Sequence, residues 1–325
     1  MKNIILDTDI GPDCEDAAAV AIVNILADKG KCNILGISHC TSNPYGAGTI
    51  DAINAYYGRK EVNISTYPKA GFLDAECNMK FNRYITSNFP NRYKENQPEP
   101  AVRMFRRLLS SQPDKSVHFI AIGPLVNLSD LLNSLPDEYS DLCGRELVQQ
   151  KVNTLYLMAG AFRQDNQAVN DKAEKECGKR LEDYVEWNVA MDVKSAINVA
   201  ENWNTAKVYL GWEIGISVVG GNSLRTKCPK EHPVRIAYEL YTGQCERFTW
   251  DSLIVEYAIL GENNHFKTSA FGKISFDDMG RSTWYAKEGC KDCFIKLAQS
   301  PEKIIFDFDQ LLTTAPIGGF PNIKI

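Results

Sequence analysis

The sequence predicts an α/β fold, a doubly wound and mainly parallel sheet with helices on both faces. Apolar runs of strand length, near residues 3–6, 33–39, 117–122, 152–158 and 206–210, alternate with helical segments along the chain. The first run passes into Ala17-Ala18-Ala19-Val20-Ala21-Ile22-Val23, a helix too apolar to lie on a surface, so both are expected to be buried as a central parallel strand and its crossover. Such sheets place their ligands at the carboxyl ends of their strands.

The first of those ends is crowded with acid. Asp7, Asp9, Asp13, Glu15 and Asp16 put five carboxylates within ten residues. Like charges at that density repel, and burying each one costs several kcal/mol unless something positive compensates. No Lys or Arg stands between Lys2 and Lys29, so a divalent cation held by oxygen ligands is the expected compensator. A solvated acidic turn is the plain alternative, since Asp and Pro-Asp are common in turns. An EF-hand loop is excluded, because Ala18 stands where its bidentate Glu is required.

A second strand, 33–39, ends at His39, expected in the core or at the strand edge, and leads through a polar loop at 41–46 to a helix over 50–57. Residues 66–98 are irregular and long enough to suggest a lid or binding loop. A helix over 101–109 precedes the strand at 117–122, which ends in Gly123-Pro124 and a further helix. After the strand at 152–158, the charged stretch 163–183 reads as a solvated insertion. Glu186-Trp187-Asn188, a helix over 193–201, the strand 206–210 and an apolar helix opening at Asp251 follow. An acid at that last position is ordinarily a helix cap. Residues 272–284 suggest a β-hairpin.

At 325 residues, 24% charged and 44% hydrophobic, the chain has the composition of an ordinary soluble enzyme and is expected to form a single domain over 1–325. A net charge of −5 argues against a nucleic-acid surface, and no apolar run reaches membrane-spanning length. Ten scattered cysteines suit reduced thiols, and Cys290-Lys291-Asp292-Cys293 lacks the second pair that zinc would need. The chain as given enters its first strand directly, so no signal peptide and a cytoplasmic location are expected.

Asp7-Thr8-Asp9-Ile10-Gly11 followed by Glu15-Asp16-Ala17 resembles the D-x-D-x-G-x-D-D-A signature of the inosine-uridine-preferring nucleoside hydrolases. It departs twice: two residues are inserted after the glycine, as in a bacterial branch, and Glu15 replaces an Asp. The resemblance continues through Gly123-Pro124-Leu125-Val126-Asn127, Glu186-Trp187-Asn188 with Asp192, and Trp250-Asp251. Four motifs in family order span most of the chain.

The resemblance implies calcium-dependent hydrolysis of the N-ribosidic bond of a nucleoside or related riboside. Asp9, Asp16, Asp251 and the carbonyl of Ile122 would hold Ca2+, with Asp9 also the general base and Asp7 and Asp13 behind or beside them. Glu15 (or Asp13), Asn43, Glu186 and Asn188 would position the sugar, and Trp187 and Trp250 would stack on a ring or base. For Asn43 a simple Asn-Pro turn is the alternative. A homodimer or homotetramer acting on a small riboside is the implied assembly. Both histidines that usually serve the leaving base are missing, Trp250 standing at one of the two positions. Two other readings therefore stand: a calcium-dependent riboside-binding protein with little or no turnover, and a haloacid-dehalogenase-like phosphatase using Asp277-Asp278.

Overall fold

In a computed structural model, residues 1–94, 96–262 and 264–323 are described. The strands of the main sheet are β1 (Lys2–Thr8), β2 (Cys32–His39), β3 (Asn63–Thr66), β4 (Glu99–Pro100), β5 (Val117–Ala121), β6 (Val152–Met158) and β7 (Ala206–Leu210). Two short strands, β8 (Val219–Gly220) and β9 (Arg247–Phe248), pair apart from it. They are followed by β10 (Phe266–Thr268), the hairpin β11 (Gly272–Phe276) and β12 (Ser282–Ala286), and β13 (Cys293–Leu297). The nine-stranded sheet runs β10-β13-β7-β6-β5-β1-β2-β3-β4. Every described pairing in it is parallel except β10 with β13. The expected mainly parallel, doubly wound sheet is therefore present.

Strand order reverses at β1. The chain first builds outward through β2, β3 and β4, then returns to lay β5 on the other side of β1. Asp7 thus pairs with Ser38 on one flank and Ala121 on the other. Ligands of doubly wound sheets bind in the crevice that such a reversal opens. The five carboxylates of the first motif sit at that point in the chain.

The helix Glu15–Asp28 is buried from Glu15 through Leu26, because its Ala and Val side chains present no polar face to solvent. It packs against the equally apolar helix Asp251–Leu260, buried from Asp251 to Ile259. Both helices point their N-termini, and so the positive ends of their peptide dipoles, toward the acidic loop. The hairpin is held to the main body where Ser282 Oγ donates to the Ala161 carbonyl at 2.7 Å. No helix among the described residues is long and apolar enough to cross a membrane.

Two sequence expectations need correction. Residues 66–98 are no free lid: Phe81, Ile85 and Phe89 are fully buried beside the helix Asn82–Asn88, and Asn82 Nδ2 donates to the Ile10 carbonyl at 2.7 Å. The polar composition hid a helix whose apolar side chains recur at intervals of four. Likewise 163–183 is no wholly solvated insertion, since the helix Gln167–Cys177 buries Val169, Asn170 and Ala173. Only its charged face is wet. His39 is buried, with Thr41 Oγ1 3.1 Å from Nε2, and burial pushes its pKa down to about 4. All ten cysteines are free.

Candidate active site

A cleft of about 270 Å³ opens at the strand-order reversal. Its buried side is formed by Asp9, Asp16, Asp251 and Ile122, with Met158, Glu186 and Asn188 alongside. Trp187, Trp212, Tyr241 and Trp250 give its more open side an aromatic lining, joined by Asp13, Arg247 and Asn78. Acid at the base and rings toward the opening match a polar, hydroxylated ligand carrying a flat group.

Asp9 reaches the cleft from the end of β1. Gly123, at the turn after β5, lies so near that a Cβ there would stand 2.8 Å from the Asp9 amide nitrogen and 2.6 Å from Cys40 Sγ. The Gly-Pro turn is thus a condition for bringing Ile122 beside Asp9. Burial lifts the Asp9 carboxyl to about 7; the charge of Asp13 adds to the rise, and a hydrogen bond with Asp16 opposes it. Burial, then repulsion from Asp9, also holds Asp16 well above the usual carboxylate range. Asp251 is raised by burial and next by Asp16. Three buried carboxylates, two of them raised further by the charge of another of the three, form a strongly cation-seeking point.

Asp7 does not line the cleft. Its carboxylate accepts from Asn127 Nδ2 at 2.9 Å, and the same amide lies 3.2 Å from Ser38 Oγ and from the His39 carbonyl. Burial lifts Asp7 to about 8, against the hydrogen bonds from Asn127 and Ser38. Asp7 thereby ties β1, β2 and the turn after β5 into one support beneath Asp9.

Glu15 departs from its expected role. Its carboxylate accepts from the backbone N–H groups of Trp250 (3.2 Å), Asp251 (2.5 Å) and Ser252 (3.1 Å), and the side chain is fully buried away from the cleft. It caps the helix Asp251–Leu260, whose own N-cap residue, Trp250, supplies no side-chain acceptor. The extra methylene that distinguishes Glu from Asp is what spans to those amides. Shortening it should therefore harm the protein rather than restore a sugar contact. Glu15→Asp is expected to cost about 2 kcal/mol of stability and to melt lower than Glu15→Gln, which keeps the reach. A variant with Asp as stable as wild type would refute this assignment.

Asp13 and Asn43 are likewise engaged elsewhere. Asp13 forms a bidentate ion pair with Arg247, including Nε to Oδ2 at 2.9 Å, and accepts from the Glu15 amide at 3.1 Å. Asn43 does not line the cleft; its Nδ2 donates to the carbonyl of Asn78 at 3.0 Å, and Oδ1 accepts from the Tyr45 amide at 2.9 Å. It holds in place Asn78, a residue that does face the cleft.

Glu186, Trp187 and Asn188 all line the cleft. Glu186 caps the short helix Trp187–Met191, accepting from the Asn188 amide at 2.7 Å and the Val189 amide at 3.2 Å. Burial nonetheless lifts its carboxyl to about 8. Asn188 Nδ2 donates to the Met158 carbonyl at 3.0 Å, while Trp187 is 46% exposed, open for stacking. Trp250 Nε1 donates to the Trp212 carbonyl at 2.8 Å, which fixes its ring plane. A Cβ on Gly215 would meet that ring at 2.0 Å, so the glycine makes room for it.

The profile of the inosine-uridine preferring nucleoside hydrolase family matches residues 4–265. The chain belongs to that family. Among solved structures, the inosine-uridine preferring nucleoside hydrolase from Bacillus anthracis superposes with a TM-score of 0.67 at 15% identity, covering 96% of this chain and 99% of that one. An inosine-guanosine nucleoside hydrolase gives 0.70 at 14% identity, with coverages of 96% and 99%. The type III effector protein XopQ, complexed with adenosine diphosphate ribose, gives 0.69 at 15% identity, covering 96% and 93%. At such identities the likeness is one of fold. No curated protein matches the sequence.

Family membership displaces the phosphatase alternative. Asp277 sits in the turn of the β11–β12 hairpin, accepting from the amides of Met279 and Arg281 at 2.9 Å and pairing with the Arg281 side chain at 2.7 Å, outside the cleft. Among the described residues no histidine stands on the open side of the cleft. Sequence reasoning missed Asn78, Trp212, Tyr241 and Arg247, which line that side. It also missed Glu213, which is buried behind it, accepting from the Phe162 amide at 3.0 Å and Gln164 Nε2 at 2.6 Å. Trp212-Glu213 directly after a core strand was a usable signal. The remaining residues stand in segments without a motif.

Proposed function

We propose that this protein hydrolyses the N-ribosidic bond of a nucleoside or related riboside, with calcium as its metal. The observation carrying this reading is the convergence of Asp9, Asp16, Asp251 and Ile122 on one buried cleft, drawn from three separate family motifs. Among the described residues no three His, Cys, Asp or Glu side chains already form a metal-binding group. The chemistry of the donor set nevertheless suits calcium: all-oxygen, acidic and buried, with mutually repelling carboxylates. Asp9, Asp16, Asp251 and the Ile122 carbonyl would hold the ion, which when bound supplies positive charge that acidifies water and grips ribose hydroxyls.

The chain's own residues supply the rest. Asp9 takes the proton of the attacking water, standing at the end of β1 on the buried side of the cleft. Glu186 and Asn188, side by side at the start of one short helix, position the sugar as its anomeric carbon gains oxocarbenium character. Trp187 and Trp250 flank the base. A dimeric or tetrameric assembly is carried over from the family.

A second reading, riboside binding with little turnover, is favoured by one feature: no histidine lines the cleft to protonate a departing base, and the Trp250 indole N–H is already committed to a carbonyl. The effector relative was solved with a riboside, adenosine diphosphate ribose. One assay separates the readings. With calcium present, nitrophenyl riboside, whose leaving group needs no proton, is expected to be cleaved faster than inosine or uridine. No cleavage of nitrophenyl riboside while ribosides still bind would establish the binding reading instead.

A further inference from the structure

Among the described residues Arg247 is the only cation lining the cleft. Its backbone is fixed by the pairing of β9 with β8, Arg247 opposite Gly220. Its guanidinium carbon lies 5.2 Å from the ring centre of Trp250 and 5.4 Å from that of Tyr241, within cation–π range of both. Asp13 grips one edge of the guanidinium through Nε and Nη2. Both Asp13 oxygens are occupied, Oδ1 by the Glu15 amide and Nε, Oδ2 by Nε and Nη2. Nη1 forms no hydrogen bond among the described residues, and the side chain is 28% exposed. The Arg247 side chain itself therefore offers the cleft N–H donors and no acceptor.

We propose that Arg247 selects the leaving group, favouring one that presents an anionic or carbonyl oxygen to its Nη1 edge. Arg247 stands in the same β9-to-helix segment as Trp250, and both line the cleft. The inference rests on the hydrolase reading for its chemical consequence. Water adds its oxygen to the anomeric carbon and gives its proton to Asp9, while the C–N bond breaks and its electron pair leaves with the base. In an oxo-base that pair delocalises onto a carbonyl oxygen, where a fixed guanidinium stabilises it without donating a proton. An amino-substituted base presents N–H groups to the same edge and gains nothing.

Free bases test this without turnover. Calorimetry on the full chain with calcium should show xanthine, at a pH where it is an anion, binding about tenfold tighter than adenine, the worth of one charge-assisted hydrogen bond. Arg247→Met keeps the stem over the aromatic rings and should erase the preference, while Arg247→Lys should retain part of it. Asp13→Asn should sharpen it, because the guanidinium is no longer neutralised. A residue with a merely structural role would move with Asp13 in the same direction. Equal affinity for the two bases, no xanthine binding, or variants at 13 and 247 that shift the preference alike would overturn the proposal. Nitrophenyl riboside cleavage, measured on the same samples, reports separately on the hydrolase reading.

Discussion

Asp9→Asn is expected to lower riboside cleavage by about 10²–10⁴-fold. The amide cannot accept the water's proton, and it removes one of the three buried carboxylates on the cleft floor. The fold should survive, because Asp9 stands at the end of β1 and the support beneath it runs through Asp7 and Asn127. Thermal melting should therefore separate a catalytic loss from a folding loss. Unchanged turnover of nitrophenyl riboside in a well-folded Asp9→Asn protein would remove Asp9 from the mechanism. Asp277→Asn, altering only an exposed hairpin turn, should leave turnover as it was.

Chelation is expected to lower the melting temperature on the order of 5–10 °C, since a ligand at a hundred to a thousand times its Kd adds about 3–4 kcal/mol. The effect should depend on pH in a definite direction. Folding raises Asp9 to about 7 and Asp7, Glu15 and Glu186 to about 8, burial being the main cause for each. In the unfolded chain these groups titrate near ~4. The folded, metal-free protein thus holds more protons at these four groups, and the stability they contribute is full below about pH 4 and is lost as pH rises toward about 8. A cation that replaces those protons matters most at the upper end. EDTA should shift the melting curve more at pH 8 than at pH 5.5, and equal shifts would mean that no cation compensates the cluster.

The sheet was legible in the sequence because its central strands are predominantly apolar runs; 152–158 and 206–210 coincide with β6 and β7. The acidic loop was legible for the same kind of reason, as a local density of one charge. Legibility failed where a residue's partner is remote in sequence. The search for a cation near Asp13 covered its neighbours and found none, while Arg247 supplies one from 234 residues away. Glu15 looked like a ligand-facing acid because its motif position implied it, and nothing local revealed the three amides it caps. Asn43 stands one contact behind the cleft, holding Asn78. The helix Asn82–Asn88 was masked by Asn, Tyr and Ser around three buried apolar residues.

The cap that Glu15 places on the helix Asp251–Leu260 also bears on the order in which the molecule can assemble. The first motif is made early in synthesis, yet its buried glutamate finds its hydrogen-bond donors only after 235 further residues have emerged. Contacts of that span form late, because the loop they close is long and most of the intervening structure must be in place. A nascent or truncated chain ending before Trp250 therefore carries a carboxylate in an apolar helix with nothing to satisfy it. Docking of the helix Asp251–Leu260 both relieves that charge and brings Asp251 to the cleft. The acidic centre is thus completed only when this late-made helix docks, so chains that lack it are kept from displaying a finished site.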